Sequence, residues 1–135
     1  MKRITIASVA LLTLLLGSAP ASAAPRTYVS HNCTGVKIRP ASIMFACADG
    51  GFFMTEGSWK TWHRWRATGH GLFHQNDCDP SCAGGTFHTA RGRIVLFHRI
   101  SCSEIDTYVF GRVRIRFHGT LLGREIVRDR LFCPL

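Results

Sequence analysis

In the stretch Tyr108–His118, YVFGRVRIRFH, apolar and basic side chains alternate. Val109, Val113, Ile115 and Phe117 share one parity, while Arg112, Arg114, Arg116 and His118 share the other. Successive side chains of a strand point to opposite faces, so this pattern predicts a half-buried strand with a basic outer face. Upstream, Arg93–Ile100 contains the continuous apolar run Ile94 to Phe97, expected of a more central strand. Downstream, Glu125–Phe132 supplies a last strand on which Arg128 and Arg130 repeat the basic alternation, with Glu125 and Asp129 on the opposite parity. If the two Arg-bearing strands pair, their guanidinium groups form one face suited to phosphates or carboxylates, through planar two-pronged contacts that an ammonium group cannot make. The alternative is the ordinary solvated face of a sheet, or an edge kept from aggregating by its charge.

Toward the N-terminus, Val36 to Asp49 is expected to form a strand pair interrupted near Pro40 and closed by the Asp49-Gly50-Gly51 turn. Phe52 to Thr55 continues as a short strand that Gly57-Ser58 breaks, and the glycine-containing Ala67–Phe73 suits an edge strand or a bulge. No ten-residue window carries helical periodicity. The expectation is six to eight short strands in an all-β fold, most simply a small antiparallel β-sandwich of immunoglobulin-like size.

Met1, Lys2 and Arg3 precede an apolar run from Ile4 to Leu16 and small residues at Ala21, Ser22 and Ala23. This is the charged, apolar and cleavage-site order of a secretory signal peptide. Residues 1–23 are therefore expected to be removed, leaving 24–135 as a single domain, with no lipid-anchoring cysteine after the apolar run. That run is shorter than the ~20 residues of a membrane-spanning helix. All six cysteines, Cys33, Cys47, Cys78, Cys82, Cys102 and Cys133, lie after it. An even count in a small exported chain implies a framework of up to three disulfides. Sequence proximity pairs them as Cys33–Cys47, Cys78–Cys82 and Cys102–Cys133. Localisation is expected to be extracellular or in the cell envelope.

The chain carries 17 Lys and Arg against 8 Asp and Glu, a net charge of +9. Such a balance favours anionic partners: nucleic acid, acidic cell-wall polymers or lipid headgroups. Trp59, Trp62 and Trp65 are spaced by three and interleaved with Lys60, His63, Arg64 and Arg66. On a regular strand Trp62 would face opposite to the other two. Exposed indoles beside Arg64 would form a stacking platform for sugars or bases, whereas indoles turned inward would fill the core. The candidate ligand-binding residues are Trp59, Trp62, Trp65, Arg64, Arg112, Arg114, Arg116, Arg128 and Arg130.

Cys78-x-x-x-Cys82, followed by Gly84-Gly85 and His88, superficially suggests a metal knuckle. Thiolates must stay reduced to bind zinc, and in an oxidising compartment the pair instead closes a disulfide loop shaped by Pro80 and Gly84. His70 and His74 would lie about 13 Å apart along a strand, too far to share an ion. No metal or cofactor is expected. Nothing in the spacing nominates a carboxylate pair for glycoside hydrolysis, and no G-x-S-x-G elbow is present. A basic ribonuclease using two histidines and an arginine is chemically open with seven His, but the sequence does not single out which two.

As an ordered set, Lys37-x-Arg39-Pro40, Ala46-Cys47-Ala48-Asp49-Gly50, Trp59-x-x-Trp62, Ala67-x-Gly69-x-Gly71 and Asn76-Asp77-Cys78-x-Pro80-x-Cys82-Ala83-x-Gly85 resemble a group of small secreted actinobacterial proteins of uncharacterised function. The resemblance runs from about Val36 to His88. It implies export and a cysteine-bearing β domain, and no activity. Small secreted serine-protease inhibitors of the same bacteria share the size, the export signal and a Cys-Ala-Asp triplet, with Gln75–Gly85 as the segment to compare with a reactive loop. The leading expectation is a noncatalytic secreted or envelope-associated module that contacts an anionic extracellular polymer or a protein. A protease inhibitor is the alternative and a small hydrolase the third. A homodimer through the last strands stays open.

Overall fold

The computed structural model describes residues 26–135, so the signal-peptide expectation for residues 1–23 lies outside the described residues. The chain forms eight strands: β1 (Thr27–Ser30), β2 (Val36–Lys37), β3 (Ile43–Met44), β4 (Phe52–Trp62), β5 (Arg66–Asn76), β6 (Phe87–Cys102), β7 (Thr107–Leu121) and β8 (Arg124–Arg130). A single 3-10 turn at Ser103–Ile105 is the only helical element among the described residues. The all-β expectation and the three disulfides hold, with the pairing Cys33–Cys47, Cys78–Cys82 and Cys102–Cys133.

The strands form one sheet rather than two facing ones. Its order is β2-β1-β7-β6-β5-β4-β3, with β8 also on β7. β7 is long enough to serve two neighbours on one side: β1 runs parallel to it at Tyr108 and Val109, and β8 antiparallel from Arg112 onward. The sheet curls until its ends meet: the Met44 amide of β3 donates to the His31 carbonyl after β1 at 2.8 Å. Cys33–Cys47 crosses the same seam. A curled sheet encloses its own core, so no second sheet is needed to cover Val29, Ile43, Met54, Phe73, Ile94, Leu96, Phe110 and Ile115, all essentially inaccessible to solvent.

Three local expectations change. β2 and β3 pair with β1 and β4, not with each other. The chain is not broken at Gly57: β4 continues to Trp62 through a bulge at Glu56 and Gly57, with Glu56 in left-handed backbone conformation. β5 is a central strand between β4 and β6, not an edge. Its glycines serve close packing. A Cβ at Gly69 would lie 2.5 Å from the Ser58 carbonyl oxygen and 2.9 Å from Trp59, and one at Gly71 2.6 Å from the Met54 sulfur. Neighbouring side chains thus lie directly over the β5 backbone.

Candidate functional site: a basic outer sheet face

On β7, Val113, Ile115 and Phe117 are buried in the core while Arg112, Arg114 and Arg116 are exposed, as the alternation requires. Pairing with β8 sets Arg112 opposite Arg130 and Arg114 opposite Arg128. On the other side of β7, Arg116 lies opposite Arg93 of β6, and Phe97 sits between Arg112 of β7 and Arg66 of β5. The five arginines that the sequence nominates on β7 and β8 therefore share one face, and the fold adds Arg66 and Arg93 to it. Neither addition is visible in the sequence, because each depends on cross-strand register.

Like charges directly opposite each other destabilise a sheet. No carboxylate offsets this one: among the described residues the side-chain ion pairs are Asp77–His88 and Arg91–Glu56. The Asp129 carboxylate instead accepts the Arg130 backbone N–H at 2.7 Å. Two adjoining depressions lie along β7. One, of about 340 Å³, is lined by Arg93, Val95, Arg114, Arg116, Ile126 and Arg128. The other, of about 370 Å³, is lined by Phe97, Arg112, Val113, Arg128, Asp129 and Arg130. Arg128 borders both, so consecutive anions of one chain would share it.

The tryptophan segment divides. A second register shift between Trp59 and Thr61 inserts one extra residue, so Trp62 lies on the same face as Trp59 instead of opposite to it. Their rings meet edge to face at 4.6 Å and pack against the core, with Trp62 also 5.6 Å from Phe110. Each indole N–H is used structurally, Trp59 to the Pro40 carbonyl and Trp62 to that of Thr27, both at 2.8 Å. Trp65, in the β4–β5 turn, is 62% exposed. The Arg64 guanidinium lies 4.9 Å from its ring centroid and that of Arg99 5.4 Å, while Arg99 also covers Tyr108 at 3.3 Å. Arg99 keeps Nε and Nη2 buried without hydrogen-bond partners, so aromatic stacking is what holds its guanidinium. Arg64 and Trp62 further line a cavity of about 640 Å³ with Arg26, Thr27, Ile38, Arg39 and His63. Of the three indoles, Trp65 is exposed, whereas Trp59 and Trp62 are half-buried.

Cys78 and Cys82 lie beside Asp49, but their sulfurs are bonded to each other and offer no thiolate. The loop they close is braced from its base. The Asn76 amide donates to the Cys82 carbonyl and its oxygen accepts the Cys78 N–H. Asp77 accepts the N–H groups of Thr86 and Asp79 and pairs with His88 at 2.9 Å. These bonds, led by the one from Thr86, lower the Asp77 carboxyl to a pKa of about 2. The histidines separate likewise: His74 bonds the Thr55 hydroxyl at 2.8 Å, while His70 turns toward His118, 6.3 Å away between ring centroids.

No family model, no curated protein and no solved structure matches this chain.

Proposed function

We propose that the protein is a secreted or envelope-associated binding module whose β6–β7–β8 face grips an anionic extracellular polymer. The observation that carries this reading is the set of cross-strand pairs Arg112–Arg130, Arg114–Arg128 and Arg116–Arg93, none of them neutralised by a carboxylate. A sheet that sets like charges opposite each other relaxes when an anion lies between them. Three disulfides suit an oxidising compartment, and among the described residues no helix is long and apolar enough to cross a membrane. The signal-like N-terminus and the motif resemblance support export.

The test is co-sedimentation of the oxidised protein with bacterial cell-wall material, and binding to soluble anionic polymers, over a salt series. Binding is expected to weaken steeply with salt, and Arg114→Glu to reduce it about tenfold or more at low salt. Polymer binding indifferent to both would overturn the assignment to this face. The protease-inhibitor reading has one observation of its own, the hydrogen-bonded and disulfide-closed loop from Asp77 to Thr86, since a rigid loop binds with little ordering cost. Tight stoichiometric inhibition of an extracellular serine protease, lost on cleavage within that loop, would establish it instead.

A further inference from the structure

One end of the arginine face carries more than charge. His70 of β5 and Arg116 of β7 are both in register with Arg93 of β6, which lies between them. His118, two residues beyond Arg116, stands diagonally across β6 from His70, with ring centroids 6.3 Å apart. It follows the last residue before the β7–β8 pairing becomes irregular, between Arg116 and Leu121, so β8 does not cover it. On the other side, the β4 bulge turns Glu56 toward β6, where its carboxylate pairs with Arg91 at 2.7 Å. Glu56 has a φ of 53°, the left-handed conformation in which the β4 bulge holds it. Two imidazoles thus face each other across β6 beside Arg93 and Arg116, two of the arginines that line the 340 Å³ depression.

We infer that this corner cleaves RNA by transesterification at phosphorus, with His70 and His118 as the acid–base pair. The inference goes beyond polymer binding but rests on the same face gripping a phosphodiester strand. In-line displacement needs a proton acceptor on one side of the phosphorus and a donor on the other. The separation of the two rings is one that a phosphoryl group can bridge once each ring nitrogen hydrogen-bonds one of its oxygens.

One imidazole, neutral, takes the proton of a ribose 2′-hydroxyl as that oxygen attacks the adjacent phosphorus. The other, protonated, gives its proton to the departing 5′-oxygen. The bond from phosphorus to the 2′-oxygen forms as that to the 5′-oxygen breaks, leaving a 2′,3′-cyclic phosphate on one fragment and a 5′-hydroxyl on the other. No electrons are exchanged, and the two imidazoles end with their protonation states interchanged. Arg93 and Arg116 stand where they can donate to the non-bridging oxygens, which carry the charge that builds in the transition state.

The experiment uses the oxidised full chain and two oligonucleotides of one sequence, one all-deoxy and one with a single ribonucleotide. The mixed strand is expected to be cut after its ribonucleotide, with a cyclic phosphate end seen by mass spectrometry, while the all-deoxy strand is bound and left whole. His70→Ala and His118→Ala should each slow cleavage about a hundredfold, far more than either weakens all-deoxy binding, and free imidazole should restore part of the rate. Both histidines are exposed, so neither change threatens the fold. A mixed strand that is bound but stays intact overturns the inference and leaves the polymer reading standing, and so does cleavage undiminished in the double variant. Absence of binding to either strand also overturns the inference, while the polymer reading is decided separately by co-sedimentation with cell-wall material.

Discussion

Asp77 stays ionised far into acid because two backbone N–H groups and His88 all favour its charged form. Its folded pKa is depressed from 3.8 to about 2. Its contribution to the loop is therefore fully present above the unfolded value and is lost as pH falls through that interval. Amide shifts of Thr86 and Asp79 followed by NMR are expected to hold constant at pH 5 and move together below about pH 4, and Asp77→Asn should abolish that acid step. At this scale the sequence is only partly informative. Asp and Asn beside a short cysteine loop announce a turn, but which N–H groups Asp77 receives depends on Thr86, nine residues away and across the loop. Likewise seven histidines look equivalent in sequence, and only register separates His70 and His118 from the rest.

The strand pattern was legible where side-chain period and backbone agree. The basic alternation from Arg112 to Phe117 of β7 and on β8, and the continuous apolar run on β6, predict their strands, because no bulge falls within those segments. Around Glu56 and Lys60 the reading fails for a definable reason. Each bulge adds one residue, reverses the parity of everything after it, and has no sequence mark as firm as a proline. The placement of Trp62 on the same face as Trp59, half-buried against the core, follows directly. The outer face of β7 and β8 yields the prediction that belongs to this scale. Arg128→Glu places a carboxylate opposite Arg114 and should raise stability by roughly 0.2–1 kcal/mol in denaturant unfolding while lowering affinity for anionic polymers. If stability falls instead, the arginine pairs are not in conflict and the case for an anion between them weakens.

For the molecule as a whole, strand alternation, closely spaced turns and the cysteine count indicate an all-β, disulfide-braced fold, and proximity was enough to pair the cysteines. How the sheet closes was not legible, since nothing local in β1 reveals that its partner is β7. The bridges should not be equivalent. Cys102–Cys133 closes a loop of 31 residues and fastens the tail beyond β8, whereas Cys78–Cys82 spans only 4. Replacing the first pair by alanines should cost about 3 to 4 kcal/mol in equilibrium unfolding, and replacing the second appreciably less.

The parallel pairing of β1 with β7 also sets an order of events. A chain that emerges N-terminus first presents β1 when nothing exists for it to join, and its partners at Tyr108 and Val109 appear only near the end. Cys33 and Cys47, only 14 residues apart, join the segments after β1 and β3 locally, so that bridge can form before β7 exists to take up β1. Until then the hairpins β4–β5–β6, whose contacts are local, are the part of the molecule able to take shape alone.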